Sequence, residues 1–203
     1  MLIIISGLKG SGKSVGLEII KNQGYHVFSV DKWIHDIYAY GERGYNVIQT
    51  KLGDQFVDQK GVKREAIKEW LMTGHDPETN QNQNLRKLNA AMLPIIKSKL
   101  VELKNQASVN DELIFVELAT YVNDHQFFRD AVDDVIYLKR DNLLQEKPGV
   151  AAYYLSPEIH SSWKIVENNS TINQLTTNVI NAIDEILPKY LRKRFHIKTE
   201  NIK

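Results

Sequence analysis

The stretch "IIISGLKGSGKSVGLEII", residues 3–20, decides how the chain reads. Its first residues are β-branched and apolar and stop at Gly7, the pattern of a short buried strand. From Lys13 the apolar positions Val15, Leu17, Ile19 and Ile20 carry a helical pattern toward Gly24, a natural helix stop. Between the two, Gly7, Gly12, Lys13 and Ser14 fit G-x-x-x-x-G-K-[ST] without exception, in the strand-then-helix context that this motif requires. Glycines let successive backbone N–H groups turn inward and form a concave anion nest at a helix N-terminus. Lys13 is then placed to reach β- and γ-phosphate oxygens, and the Ser14 hydroxyl to ligate Mg²⁺. Lys9, inside the loop, either adds a second positive charge there or points to solvent.

Beyond the loop, "YHVFSV" (25–30), "ELIFVEL" (112–118), "DDVIYL" (133–138) and the weaker "WKIVEN" (163–168) read as further strands. The stretch "INQLTTNVINAIDEIL" (172–187) reads as an amphipathic helix. Strands separated by helices predict an α/β fold, a P-loop three-layer α/β/α arrangement with a five-stranded parallel sheet. The middle of the chain, 44–105, reads as mostly helical, with Pro94 implying a kink or a fresh helix start. The basic tail 189–203 reads as a solvated, frayed end.

The 203 residues suit one globular domain: core 1–43 and 106–190, helical part 44–105 and a lid-like segment 139–164. Formal net charge is +1, from 26 basic and 25 acidic side chains, so no global pull toward nucleic acid or membrane is expected. There is no cysteine, which excludes disulfides and thiolate metal sites. The histidines form no ligand spacing, and no transition-metal site is expected. No apolar run approaches a membrane span, and "MLIII" lacks the features of a signal peptide, so the expected location is the cytoplasm.

Two carboxylates stand where phosphoryl chemistry needs them. Glu117 ends the strand "LIFVE", the usual place for an acid that closes a Mg²⁺ shell, although an ordinary strand-end carboxylate would look the same. Asp31 follows the second strand, at the end of a parallel sheet where ligands bind. There it can orient an attacking hydroxyl in line with a γ-phosphate, and it can equally cap the following helix. The short chain and the lack of an N-K-x-D guanine signature point to a small-molecule kinase rather than a GTPase.

The segments around these residues resemble the dephospho-coenzyme A kinase family, in the right order from residue 1 to about 185. "SVDKWIHDIY" (29–38) is similar to the family's D-A-D-x-I-A-H/R, with Ser29 for the first Asp and Asp31 as the second. "GYNVIQTKLGDQFV" (44–57) resembles G-x-x-x-x-x-I-x-x-x-F-G, and "KGVKREAI" (60–67) places Arg64 on the family arginine. In "LRKLNAAMLPII" (85–96) Leu88, Asn89 and Pro94 match L-N-x-x-x-H-P-x-I, with Leu93 for His. "IFVELATYV" (114–122) resembles V-x-D-I-P-L-L-F-E with Glu117 on the Asp, and "KIVENNSTINQLTTNV" (164–179) resembles the closing V-I-x-N-x-G motif.

The resemblance implies ATP-dependent phosphorylation of the ribose 3′-hydroxyl of dephospho-CoA, by a P-loop core carrying a helical acceptor-binding insertion and a short lid. ATP would be held by Gly7, Leu8, Lys9, Gly10, Ser11, Gly12, Lys13, Ser14 and Val15, with Mg²⁺ on Ser14 and Glu117, in part through water. Asp31, Arg64 and Asn89 would bind the acceptor, and Lys13, Asp31 and Arg140 would be catalytic. The expected partners are these two substrates, with no nucleic acid or membrane, and the expected state is a monomer. The lid departs from the family pattern: it offers Lys139, Arg140, Lys147 and Lys164, with Arg140 its only arginine, and Tyr153 and Tyr154 either stack on adenine or pack the lid. Two alternatives stay open, a nucleoside or nucleoside-monophosphate kinase and an ATP-binding relative with a regulatory role.

Overall fold

Four isoleucines and leucines followed by a serine form the central strand, β1 (Leu2–Ser6), and every one of its residues is buried. That burial on both faces is what a parallel sheet covered by helices demands. The computed structural model describes residues 1–76, 81–141 and 159–200. After β1 come α1 (Lys13–Asn22), β2 (His26–Ser29), α2 (Val30–Ile37) and α3 (Arg43–Leu52). A two-residue pair, β3 (Val57–Asp58) and β4 (Gly61–Val62), precedes α4 (Arg64–Thr73). A second pair, β5 (His75–Asp76) and β6 (Gln81–Asn82), leads into α5 (Gln83–Val109). The chain closes with β7 (Ile114–Glu117), α6 (Tyr121–Phe128), β8 (Asp134–Lys139), β9 (Lys164–Glu167) and α7 (Ile172–Glu200).

The five long strands form one parallel sheet in the order β2-β7-β1-β8-β9, so the expected five-stranded α/β fold is the observed one. The register pairs Ile5 with Glu117, Ser6 with Tyr137 and Lys139 with Glu167. It therefore gathers Ser6, Glu117 and Lys139 at the C-terminal ends of neighbouring strands, where the loop 7–12 also starts. The described residues divide into two compact units, one of 1–28, 100–141 and 159–200, the other of 29–76 and 81–99. In the first unit α1 and α7 cover one face of the sheet, burying Leu17, Ile20, Val179 and Ile183 against Ile3, Ile5, Phe115 and Ile136. The second unit has its own core, with Ile37, Tyr45, Ile48, Phe56, Ile67, Leu71 and Ile95 at its centre.

Several local expectations change. The helix after β2 begins at Val30, because Ser29 caps it by accepting the Lys32 N–H at 3.5 Å. Two pairs of two-residue strands interrupt the region read as helical, at 57–62 and 75–82; such short runs carry no readable periodicity. Pro94 starts no new helix, since α5 runs through it. Both Pro94 and Ala90, whose carbonyl loses its helical donor, are exposed, so water can replace that bond. Asn82 supplies the start instead: its buried side chain accepts the Leu85 N–H at 2.8 Å and donates to the Leu71 carbonyl at 2.6 Å. The tail is not frayed from residue 189, for α7 continues through Pro188 to Glu200. Lys189 reaches Asp134 at 2.6 Å and the Tyr190 hydroxyl donates to the Asp111 carbonyl at 2.5 Å, which docks the extension.

Candidate active site

The turn from β1 into α1 can be followed bond by bond. Gly12 caps α1 at φ +97°, a conformation that a side chain resists. Gly7 has a steric need as well, since a Cβ there would approach the Leu138 carbonyl oxygen to 2.4 Å. The Ser11 N–H donates to the Leu8 carbonyl at 3.1 Å, closing a tight turn. Lys13 folds back over the loop, and its Nζ donates to the carbonyls of Gly7 at 3.0 Å and Leu8 at 2.9 Å. Its charge is thereby held against the loop backbone. Lys9, Gly10, Ser14 and Val15 are exposed, whereas Ser11 is fully buried. Lys9 therefore lies at the solvent side of the loop.

The Ser14 hydroxyl donates to Glu117 Oε1 at 2.8 Å, across 103 positions of sequence. Glu117 is only 5% exposed, and the parallel register of β7 against β1 delivers it there. A hydroxyl and a carboxylate form a hard oxygen pair of the kind that suits Mg²⁺, which keeps several waters and takes few protein ligands. No group of three or more histidine, cysteine or acidic residues able to hold a metal occurs among the described residues. Just past β7, Ser6 Oγ donates to the Leu118 carbonyl at 3.0 Å, and Tyr121 packs on Trp163 with ring centroids 5.8 Å apart. Burial pushes the Tyr121 phenol up to about 12, with Asp134 adding to the effect. Asp124 follows, its Oδ2 buried without a partner; burial raises its pKa and His125 opposes the shift.

Arg140 comes directly after β8 and is exposed. Lys139, the last residue of β8, pairs with Asp141 and Glu167, each at 3.6 Å. Lys164, the first residue of β9, is bonded to Glu185 at 2.5 Å. Both lysines thus sit in strands with acidic partners. Lys147, Tyr153 and Tyr154, with the rest of 142–158, lie outside the described residues.

The second unit carries the other expected residues. With Ser29 as the cap, Asp31 occupies the first turn of α2 and is exposed. His35 stands one turn further on, on the same side of the helix by its i, i+4 spacing. Arg64 opens α4, and its NH1 lies against the His35 ring, 3.1 Å from Nδ1 and also in contact with Nε2. Tyr38 is raised to about 12 by burial, an effect that the Arg64 charge opposes. Asn89 is half-buried on α5 and takes no part in the Arg64–His35 contact.

One residue with a direct hold on the loop had been given no role in the site. Asn168, just past β9, donates through Nδ2 to the Ser11 carbonyl at 2.9 Å. Asn168 stands on the asparagine of the V-I-x-N-x-G resemblance, a signal that marks the position but does not reveal a contact 157 positions away.

With this geometry in place, a family model described as dephospho-CoA kinase matches residues 1–139, more than half of the chain. The chain belongs to the dephospho-CoA kinase family. Members of this family are ATP-using phosphotransferases that act on a hydroxyl group. Among relatives, the dephospho-CoA kinase of Mycoplasma pneumoniae is 32% identical over 143 residues, covering 70% of this chain and 66% of that protein. That of Mycoplasma genitalium is 30% identical, covering 71% of this chain and 69% of its own length. That of Streptococcus thermophilus is 24% identical, covering 92% and 98%. The solved structure of dephospho-CoA kinase from Campylobacter jejuni superposes with a TM-score of 0.56 at 17% identity, covering 91% of this chain and 96% of that one. At that identity the superposition speaks for the fold. No helix among the described residues is long and apolar enough to cross a membrane.

Proposed function

We propose that the chain transfers the γ-phosphoryl group of ATP to the ribose 3′-hydroxyl of dephospho-CoA, giving CoA and ADP. The observation that carries the reading is the Ser14–Glu117 bond of 2.8 Å at the mouth of a complete phosphate loop, in a chain of this family. Gly7 through Val15 bind ATP, with the loop amides and Lys13 on the β- and γ-phosphates. Ser14 and Glu117 hold Mg²⁺, in part through water. When bound, the ion neutralises charge that develops on the phosphate oxygens.

Asp31 accepts a hydrogen bond from the 3′-hydroxyl and aims its oxygen at the γ-phosphorus, in line with the bond to the leaving β-phosphate oxygen. As the new O–P bond forms and the old one breaks, the hydroxyl proton passes to the Asp31 carboxylate and ADP leaves with the electron pair. Ser29, not Asp31, is the cap residue of α2. Arg64 and Asn89 bind the acceptor, and Arg140 steadies the transferring phosphoryl group. The helical stretch 44–105 is the acceptor-binding part, the segment 139–164 is the lid, and the protein acts as a cytoplasmic monomer.

The test is ADP release from ATP and Mg²⁺ with dephospho-CoA, run beside adenosine, AMP and dCMP. Turnover with dephospho-CoA alone supports the reading. Turnover only with adenosine, AMP or dCMP makes the protein a nucleoside or nucleotide kinase. ATP binding without turnover on any acceptor makes it a regulatory relative. Light scattering of the same sample reads the oligomeric state.

A further inference from the structure

Asn168 occupies a position that the proposed chemistry does not use, yet it is bound to the loop on which that chemistry depends. Its side-chain N–H donates to the Ser11 carbonyl. In a trans peptide the carbonyl and the following N–H point to opposite sides of the chain, and the protein contains no cis peptide among its described residues. Holding the Ser11 carbonyl toward Asn168 therefore turns the Gly12 N–H the other way. This peptide would otherwise rotate readily, because Gly12 has no side chain to resist the change. We propose that Asn168 is a positioning residue of the phosphate cradle, locking the Ser11–Gly12 peptide so that the Gly12 amide faces the bound phosphate. The inference rests on the reading of this loop as the ATP site.

Asn168 is itself tied in place. Its backbone N–H donates to the Lys139 carbonyl at 2.8 Å, and β9 reaches it in register, with Glu167 beside Lys139. The next residue, Asn169, donates to Asp141 Oδ2 and accepts the Asp141 N–H, both at 2.7 Å. The amide thus projects from the end of the edge strand β9, which is bonded through both Asn168 and Asn169 to residues 139–141 at the end of β8. Its fit to the loop is close: a Cβ on Gly12 would come within 2.4 Å of Asn168 Nδ2. The glycine demanded by the motif leaves the space that this side chain fills.

The experiment measures ATP and ADP affinity by calorimetry, without acceptor, for Asn168→Asp and Asn168→Ala. Aspartate keeps the shape but sets an oxygen against the Ser11 carbonyl, so it should weaken both nucleotides more than tenfold. Alanine only removes the donor and should weaken them about threefold to tenfold. Aspartate binding as well as the parent, or better than alanine, would mean that the side chain acts by packing, and would overturn the proposal. If the aspartate variant does not fold, alanine decides alone: a matched loss for ATP and ADP supports the lock, and unchanged affinity overturns it. Because no acceptor is present, absent turnover on dephospho-CoA would sink the acceptor assignment without touching this result. A parent protein that binds no ATP would sink both.

Discussion

The phosphate loop and the Asp31–His35–Arg64 face hold their polar groups in opposite ways. In the loop each group is anchored: Lys13 to two carbonyls, Ser14 to Glu117, and the Ser11 carbonyl to Asn168. Their supports are strands in hydrogen-bonded register, β1 and β7 fully buried among them. On the second unit, Asp31, His35 and Arg64 are all exposed and project from two helices, and the His35 ring meets the Arg64 guanidinium. A phosphate chain offers the same shape and charge in any nucleotide, so a pre-built cradle of backbone groups can meet it. Exposed side chains on helices can be matched to a particular acceptor, at the entropic cost of ordering them on binding.

That contrast can be broken by substitution, and the largest effect should fall in the loop. Lys13→Ala removes the charge proposed to meet the phosphates, and turnover should drop by about 10³–10⁵-fold in an ADP-release assay, the loss typical of a cation that stabilises a transferring phosphoryl group. Retained turnover would show that the cradle works without its cation. Next comes Asp31→Asn, expected to lower kcat by roughly 10²–10⁴-fold while ATP affinity by calorimetry stays unchanged. An unchanged kcat would remove Asp31 from the mechanism and leave the second unit with a binding role alone.

Arg64→Ala should be milder, raising KM for dephospho-CoA about tenfold with KM for ATP constant, as expected for loss of one charge-assisted contact. Equal rises in both would mean that the two regions do not divide the substrates as described. The smallest effect concerns Asp124, in the unit that carries the loop. Burial raises its carboxyl pKa, so the native state holds the proton more tightly than the unfolded chain does. Its contribution to stability is therefore full at low pH and is lost as pH rises through the folded-state pKa. Asp124→Asn should raise Tm slightly at pH 8 and leave it nearly unchanged at pH 4. The gain should be below about 1 kcal/mol, because part of the residue still faces water. A lower Tm at pH 8 would show that the charged form is favoured in the fold.

Much of the first unit could be read in advance because its signals are short-range. β1, the loop and α1 are encoded within about twenty consecutive residues, where glycine spacing and apolar periodicity directly constrain the backbone. The strands β7 and β8 were equally legible as buried apolar runs. Legibility failed where partners decide conformation. Pro94 proved compatible with a continuous α5 because both it and Ala90 face solvent, and α7 outran its expected end because Lys189 and Tyr190 dock on Asp134 and Asp111. The two-residue strands at 57–62 and 75–82 are too short to leave a pattern.

Sequence alone determined the phosphate loop, the alternation of strands and helices, and the collinear match to a kinase family, because each depends on residues close together along the chain. Only the tertiary structure decided that Ser14 bonds Glu117, that Ser29 rather than Asp31 caps α2, that His35 meets Arg64, and that Asn168 grips Ser11. The cap was a choice between two nearby polar side chains that composition does not resolve. The other three contacts depend on strand register and helix packing, which bring together residues 29 to 157 positions apart.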